Sequence, residues 1–301
     1  MTTPSIPGTP GAPTSPGTAT SAAVTTRARG RRRPASLVVG GVIVVVMVLT
    51  ALLSLVWTPY DPLQAMPVDR LQGPSAEHWM GTDRYGRDIF SNILHGARIT
   101  LMVGLVAVAI ALAIGTPLGI LAGMRRGWVE EVIMRLSDLM MAFPALLLAI
   151  IFSAAFGAST LTAMVAVGIG TIPGFARVAR SGTLQVMGHD YVLAARASGQ
   201  RPVRIALRHV LPNTVGMVLV QSSVSFALAV LAEAGLSFLG LGTPPPVPSW
   251  GRMLQSAQDL LGVAPLQAFW PGLAIAAAVL GFNLLGDGLR DWFDPKLQEG
   301  R

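Results

Sequence analysis

The ionisable residues of this chain are few, and their spacing does not match common catalytic or metal-binding patterns. The histidines lack the His-x-x-His or His-Glu-x-x-His spacing that places two ligands on one helix face; they are His78, His95, His189 and His209. No serine, histidine and aspartate form a recognisable triad. The absence of cysteine from the sequence excludes disulfides and thiolate metal sites. We therefore predict no catalytic residue, no metal site and no cofactor in this chain.

A nucleotide site is not visible in the sequence either. The loop that cradles phosphates follows the pattern G-x-x-x-x-G-K-[ST], and the chain's only lysine, Lys296, follows a proline near the C-terminus instead. Ion-coupled carriers hold charged residues inside their membrane spans. The apolar stretches of this sequence contain none, and only Glu233 approaches the end of one. We predict that another subunit supplies the energy for whatever this chain does.

The elements that carry these residues are long and apolar. Hydrophobic residues make up 52% of the 301 residues and charged residues only 12%, whereas an ordinary soluble domain is about 25% charged. The mean hydropathy is +0.58. A transmembrane helix needs about 20 apolar residues, and charge-free windows predict six such helices, over 35–57, 99–124, 139–156, 159–176, 210–232 and 260–286. The sequence therefore predicts an all-α membrane protein with six transmembrane helices.

The N-terminal residues 1–34 differ in composition from the rest. They begin with an uncharged stretch of Pro, Thr, Gly, Ser and Ala, which predicts a disordered tail. The five arginines that follow are typical of a signal peptide. However, the apolar run from Leu37 to Val56 is long enough to span a membrane, so we favour a retained first helix.

The distribution of basic residues predicts the orientation. With the N-terminal tail inside, 17 of the 22 Lys and Arg residues fall in cytoplasmic segments, as the positive-inside rule requires. Both termini are then cytoplasmic, and the net charge of +7 reflects topology rather than binding to nucleic acid.

The predicted order of segments begins with a disordered cytoplasmic tail (1–34), a first transmembrane helix (35–57) and an external loop with an amphipathic segment (58–98). A core of five helices (99–290), which contains a cytoplasmic loop (177–209), and a cytoplasmic tail (291–301) follow.

The cytoplasmic stretch "DYVLAARASGQRPVRIALRHVLPN", residues 190–213, has the composition of a docking element. It predicts a short helix that begins near Asp190 and ends at Gly199. A second helical run starts with Pro202 in its first turn and leads into Leu211-Pro212. A small, Ala-rich helix with arginines suits a groove on a cytoplasmic partner. The alternative is an amphipathic linker that lies on anionic lipid head groups.

Four motifs in this sequence resemble those of one family. "LAARASG…RHVLPN" resembles the EAA loop of binding-protein-dependent ABC importer permeases, except that Leu193 stands where the motif has Glu. "WMGTDRYGRDIFSNILHGARITL", residues 79–101, resembles a signature of the second permease subunit of dipeptide, oligopeptide and nickel importers, with Asn92 in place of an Arg. "AEAGLSFLGLGTPPPVPSWG", residues 232–251, and the C-terminal "GDGLRDWFDPKL" are similar to two further motifs of the same family.

The resemblance implies a type I ABC importer permease in the bacterial inner membrane. Its expected partners are a sister permease, two ABC ATPase subunits that bind ATP and Mg, an extracytoplasmic substrate-binding protein and membrane lipid. The substrates implied are dipeptides, oligopeptides, nickel complexes or some sugars. The residues implied in ATPase coupling are Asp190, Tyr191, Ala194, Ala195, Arg196, Gly199, Leu211 and Pro212. The external motif comprises Gly81, Thr82, Asp83, Gly86, Arg87 and Asp88.

Polar side chains of the fifth predicted span are candidates to line a translocation pathway. They are Asn213, Gln221, Ser222, Ser225 and Glu233. Gln221 and Ser225 are four residues apart and share a helix face. The same residue types also form hydrogen bonds between membrane helices, which is the alternative. Two rival functions stay open at this stage, a scaffold or receptor subunit that moves nothing and a self-sufficient secondary transporter.

Overall fold

A computed structural model describes residues 35–293 and is helical throughout its regular elements. The predictions for residues 1–34 and for most of the C-terminal tail fall outside these described residues. The helices are α1 Ala35–Val56, α2 Ile89–Met124, α3 Trp128–Met141, α4 Ala145–Phe156, α5 Thr160–Met187, α6 Asp190–Ala197, α7 Pro202–Ile205, α8 Leu211–Phe238, α9 Trp250–Ala257 and α10 Leu266–Phe293. The predicted all-α class is confirmed.

Among the described residues, five helices are long and apolar enough to cross a membrane, namely α1, α2, α5, the continuous stretch Pro202–Phe238 and α10. A sixth crossing exists only if α3 and α4 are counted together, and these two helices are bent by 82° at the break between them. The prediction of one continuous helix over 139–156 is wrong, because α4 has only 12 residues and would span about 18 Å. Pro144 ends the preceding helical path since it lacks an N–H and disfavours a helical residue before it.

The helices extend beyond the charge-free windows that predicted them. Helix α2 begins ten residues before position 99 and includes Arg98, and α5 continues past Arg177 and Arg180 to Met187. Helix α8 runs to Phe238 rather than to 232. A charged residue indicates where a helix leaves the hydrocarbon core of the bilayer. It does not indicate where the helix ends, because the backbone hydrogen bonds continue beyond it. Hydropathy alone therefore predicted these three helices but made each of them too short.

Glycines at every fourth position allow α2 and α5 to pack closely. A Cβ atom added to Gly115 would lie 2.6 Å from the Ile172 carbonyl oxygen, and one added to Gly123 would lie 2.6 Å from Thr183 Cβ. Gly119, between them, faces Ala179 in the same way. These distances are too short for any side chain, so the two helices meet backbone to backbone. This pair forms the central packing of the fold.

A second packed group joins α1, α8, α9 and α10 around the N-terminal part of α2. Its buried core includes Met47, Ala97, Val230, Trp250 and Ile275. The rings of Phe226 and Phe282 stack between α8 and α10 with centroids 3.9 Å apart. The Trp250 indole donates to the Ile93 carbonyl at 3.0 Å and thereby fixes α9 against the start of α2.

Candidate functional site

Helix α6 is anchored to the rest of the chain by one face. Val192 is fully buried and Ala195 is 6% exposed. Both pack in a cluster with Val186 and Met187 at the end of α5 and with Ile205 of α7. Movement of α6 would therefore be transmitted to α5 and to the long helix that begins at Pro202.

Gly199 ends α6 as the sequence predicted. Its φ of +71° is left-handed, a conformation that glycine adopts without the steric cost that a Cβ imposes. The Gly199 N–H donates to the Arg196 carbonyl at 2.9 Å, and the Gln200 N–H donates to the Ala195 carbonyl at 3.1 Å. This pair of bonds is the Schellman arrangement that satisfies the last carbonyls of a helix. A Cβ on Gly199 would have no atom within 4 Å, so its backbone conformation is what requires glycine.

The other face of α6 is open. Tyr191 is 44% exposed and Leu193 is 50% exposed, and Ala194 and Arg196 are exposed beside them. Ala195 does not belong to this surface, because it is buried within the chain itself. The sequence predicted Ala194 and Ala195 as equivalent contact residues, and the structure separates them. Asp190 lies in the first turn of α6 and is exposed.

The segment after Gly199 joins α6 directly to the membrane helix. Pro202 starts a continuous helix that passes through a wide turn at Ala206–Val210, where the Leu211 N–H donates five residues back to the Ala206 carbonyl. Such π-turns are frequent at functional sites. Leu211 is half-buried, whereas Pro212 is exposed in the first turn of α8. The sequence pattern did not predict this π-turn.

Ion pairs tie α3 to α5 near the same end of the bundle. The Arg180 guanidinium donates to Glu130, with Nε to Oε1 at 2.7 Å, and Arg177 pairs with Asp138 at 2.6 Å. Sequence reasoning did not identify these residues. The opposite charges in the predicted loops 125–138 and 177–209 were the signal for such pairs.

The external motif folds into one compact turn. Asp83 accepts hydrogen bonds from the backbone N–H of Tyr85 at 2.7 Å and of Arg87 at 2.9 Å. Its second oxygen pairs with the Arg87 guanidinium at 2.7 Å. Gly81 and Gly86 have φ of +79° and +77°, and the Thr82 hydroxyl donates to the Asp69 carbonyl. These contacts hold five of the six motif residues in one turn before α2.

Asp88 has its partner outside the motif. It is buried and contacts His78 Nδ1 at 3.0 Å. Its other oxygen accepts from the Ser91 backbone N–H at 2.8 Å and so caps α2. Arg84 lies 3.8 Å from Asp259, near α9.

The candidate pathway residues of α8 do not share one environment. Ser225 and Glu233 are each 1% exposed, and Ser237 donates its hydroxyl to Glu233 Oε1 at 2.7 Å. These two residues are thus packed inside the chain. Gln221 is half-buried and donates to Ser225 Oγ at 3.1 Å. Both residues belong to α8, so this bond favours neither a pathway role nor hydrogen bonds between helices.

Asn213 and Ser222, the two other pathway candidates, bond to their own helix. The Asn213 amide donates to the His209 carbonyl at 2.6 Å, and the Ser222 hydroxyl donates to the Val218 carbonyl at 2.8 Å. Asn213 is exposed and Ser222 is half-buried. Of the five candidates, Asn213, Gln221 and Ser222 therefore keep some accessible surface.

A cavity of about 550 Å³ opens on the side of the external motif. Arg87, Asn92, Arg252 and Gln267 line it together with the proline-rich loop before α9. Asn92 is the residue that departs from this signature, and its Oδ1 is buried without a hydrogen-bond partner in residues 35–293. Within residues 35–293, no three His, Asp or Glu side chains are grouped as metal ligands.

Comparison with known proteins gives concordant matches. Residues 115–299 match the family model described as binding-protein-dependent transport system inner membrane component. The dipeptide transport system permease protein DppC of Alkalihalophilus pseudofirmus is 43% identical over 261 residues, which cover 87% of this chain and 86% of that protein. The glutathione transport system permease protein GsiD of Pectobacterium atrosepticum is 45% identical over 262 residues, 87% of each chain.

The fold is also found in a solved transporter. The inward-facing MetNI methionine ABC transporter contains a chain that superposes with a TM-score of 0.57 and 17% sequence identity. The match covers 67% of this chain and 96% of the transporter chain. At this identity the likeness shows the fold alone.

Proposed function

Because the chain belongs to the family of binding-protein-dependent transport system inner membrane components, we propose that it forms half of an import pore for short peptides. The chain is a multi-pass inner membrane permease of an ABC transporter, in which the ATPase is a separate subunit. In the proposed assembly a sister permease completes the pore, two ATPases lie on the cytoplasmic side, and a binding protein delivers substrate to the external side.

The observation that carries the coupling role is the two-sided character of α6. One face, with Val192 and Ala195, is packed against the ends of α5 and α7. On the opposite face, the side chains of Tyr191 and Leu193 are exposed at the protein surface. A short helix that is fixed on one side and apolar on the other suits a groove in the ATPase. Closure of the ATPases on ATP would then shift α6 and, through Pro202, the helix that continues into α8.

Leu193 fits this surface although the family motif has Glu. An exposed leucine gains free energy when a partner covers it, so the groove on this chain's ATPase should be apolar where Leu193 enters. Asp190 and Arg196 flank the same surface and would supply polar contacts.

Truncation of Leu193 tests the docking role. Leu193→Ala should weaken ATPase binding about tenfold, which corresponds to about 1.4 kcal/mol, and should lower transport-stimulated ATP hydrolysis. Leu55→Ala is the matched control, since Leu55 is 58% exposed on α1 and lies far from α6 in sequence. Equal binding by both variants would remove this face of α6 from the interface. Failure of the unaltered chain to bind the ATPase would favour the scaffold alternative.

The peptide substrate is inferred from the relatives named for dipeptide and glutathione transport. The test is uptake of labelled dipeptides and glutathione by proteoliposomes that contain the complete transporter and its binding protein. We expect ATP-dependent uptake of a short peptide. Uptake by this chain alone, without ATP, would instead establish the secondary-transporter alternative.

A further inference from the structure

A cavity of about 460 Å³ lies between the end of α2 and the segment that runs from α6 into α7. Its walls are mostly apolar and include Ile120 and Met124 of α2 and Val203 and Leu207 of the continuous helix. Val203 is 69% exposed and Leu207 is 62% exposed. These side chains leave an apolar opening on the outside of the bundle.

Two arginines complete the lining of this cavity. Arg125 and Arg196 are both exposed, and neither lies within ion-pair distance of a carboxylate in the described part of the chain. The nearby acids Glu130 and Asp138 are already paired with Arg180 and Arg177. The cavity therefore combines an apolar interior with uncompensated positive charge.

Polar atoms without a partner lie in the same walls. Thr116 Oγ1 and Gln200 Oε1 are buried and have no hydrogen-bond partner among the described residues. Buried polar groups usually find a partner, because an unsatisfied one costs roughly 1–3 kcal/mol. Both residues line the cavity, so a ligand whose hydroxyl or ester oxygens reach them, and whose apolar chain covers the remaining walls, would match this lining.

We propose that this cavity binds one anionic phospholipid. An acyl chain would fill the space beside Ile120 and Leu207, and the phosphate would lie between Arg125 and Arg196. Basic pockets between membrane helices at the surface are suited to anionic head groups. A nucleotide or a peptide would leave its polar groups against the apolar walls, which is unfavourable. The proposal needs only that this end of α2 lies at a membrane surface. It shares Arg196 with the proposed docking surface of α6, and so it is tested on the chain without its ATPase.

The consequence concerns the connection between α6 and α8. Arg196 belongs to α6, whereas Val203 and Leu207 belong to the helix that continues into the membrane. A lipid held by both would restrict the angle between them. With lipid bound, a movement of α6 should therefore move α8 by a larger amount.

The test is native mass spectrometry of the full-length chain in detergent with added phosphatidylglycerol or phosphatidylcholine. We expect one tightly retained phosphatidylglycerol, with phosphatidylcholine held at least tenfold more weakly. The double variant Arg125→Gln and Arg196→Gln should retain about tenfold less phosphatidylglycerol. Ala206→Leu should also retain less of this lipid, because the larger side chain fills the cavity without a change of charge. Arg201→Gln with Arg204→Gln is the matched control, because it removes two arginines from the same segment that do not line this cavity.

Equal loss in the cavity variant and the control would overturn the proposal, since it would show diffuse attraction of head groups to a basic surface. Equal retention of both lipids would also overturn it. Competition by inorganic phosphate at matched ionic strength, without any effect of Ala206→Leu, would indicate a free phosphate site instead. Exclusion of the lipid from the assembled transporter would also overturn the proposal, since a partner subunit would then fill the cavity. Thermal unfolding of each variant verifies that the fold is retained.

Discussion

The N–H of Gln200 donates to the carbonyl of Ala195 at 3.1 Å, across the glycine that ends α6. This bond sets the direction in which the chain leaves the helix towards Pro202. It places Gly199 in a left-handed conformation with open space around it. The direction of the chain between α6 and Pro202 thus depends on one backbone angle at Gly199.

Replacement of Gly199 should separate backbone strain from steric exclusion. Gly199→Ala should cost about 1–2 kcal/mol, because an L-residue is strained at this φ, and should lower ATPase stimulation about tenfold. Gly199→Asn should retain more activity, since asparagine tolerates the left-handed backbone conformation better.

Gly188→Ala is a control in the same loop, where φ is −83°. If Asn and Ala were equally damaging, the partner's groove rather than backbone strain would require glycine. Stimulated ATP hydrolysis by the assembled transporter is the measurement.

The Asp88 cap of α2 predicts a stability effect at the start of this helix. Asp88→Ala removes the acceptor for Ser91 and leaves buried His78 without its partner, which should destabilise the protein by about 2 kcal/mol. The Asp259 side chain is 80% exposed and lies 3.8 Å from Arg84, so Asp259→Ala should change stability by less than about 0.5 kcal/mol. Thermal unfolding in detergent compares the two. Similar melting temperatures would show that the His78–Asp88 pair contributes little.

Local rules predicted the parts of the site that depend on neighbouring residues. Gly199 as a helix stop and Pro202 as a helix start follow from the conformations that these residues favour. The buried side of α6 did not follow, because "YVLAARA" is apolar nearly all round and gives no periodic contrast. Only the packing of Val192 against α5 decides that Ala195 turns inward while Ala194 stays outside.

Contacts between residues far apart in sequence explain the other differences between prediction and structure. Glu233 is in the sequence a lone acid at the end of a span, and its burial beside Ser237 depends on how the following loop folds back. The interrupted third span depends on Pro144, which a charge-free window does not register. Hydropathy and charge predicted the membrane class, whereas the contacts of single polar side chains required the folded chain.

The close approach of α2 and α5 predicts that Gly119 tolerates no side chain. Its added Cβ would meet the Ala176 carbonyl and would lie 2.7 Å from Ala179 Cβ. Gly119→Ala should therefore destabilise the protein by about 1–3 kcal/mol and reduce its yield in the membrane. Gly272→Ala, in α10, has no atom within 4 Å of the new Cβ and should be neutral. Equal yields and melting temperatures would show that the two helices separate at little cost.

The orientation proposed from the arginines can be measured directly because the chain contains no cysteine. Ala76, in the external segment, and Ser198, at the end of α6, are both exposed. In intact cells a membrane-impermeant maleimide should label Ala76→Cys, and it should label Ser198→Cys only after permeabilisation. Val103→Cys, at a fully buried position of α2, should stay unlabelled in both cases.

The labelling result bears on both proposals in different ways. Labelling of Ser198→Cys from outside would place α6 on the wrong side for a cytoplasmic ATPase and would overturn the coupling role. The lipid site would survive that outcome, because its cavity would then face the other leaflet with the same arginines. Labelling of both positions only after permeabilisation would mean that the external segment does not reach the outside, which contradicts the positive-inside assignment of both termini.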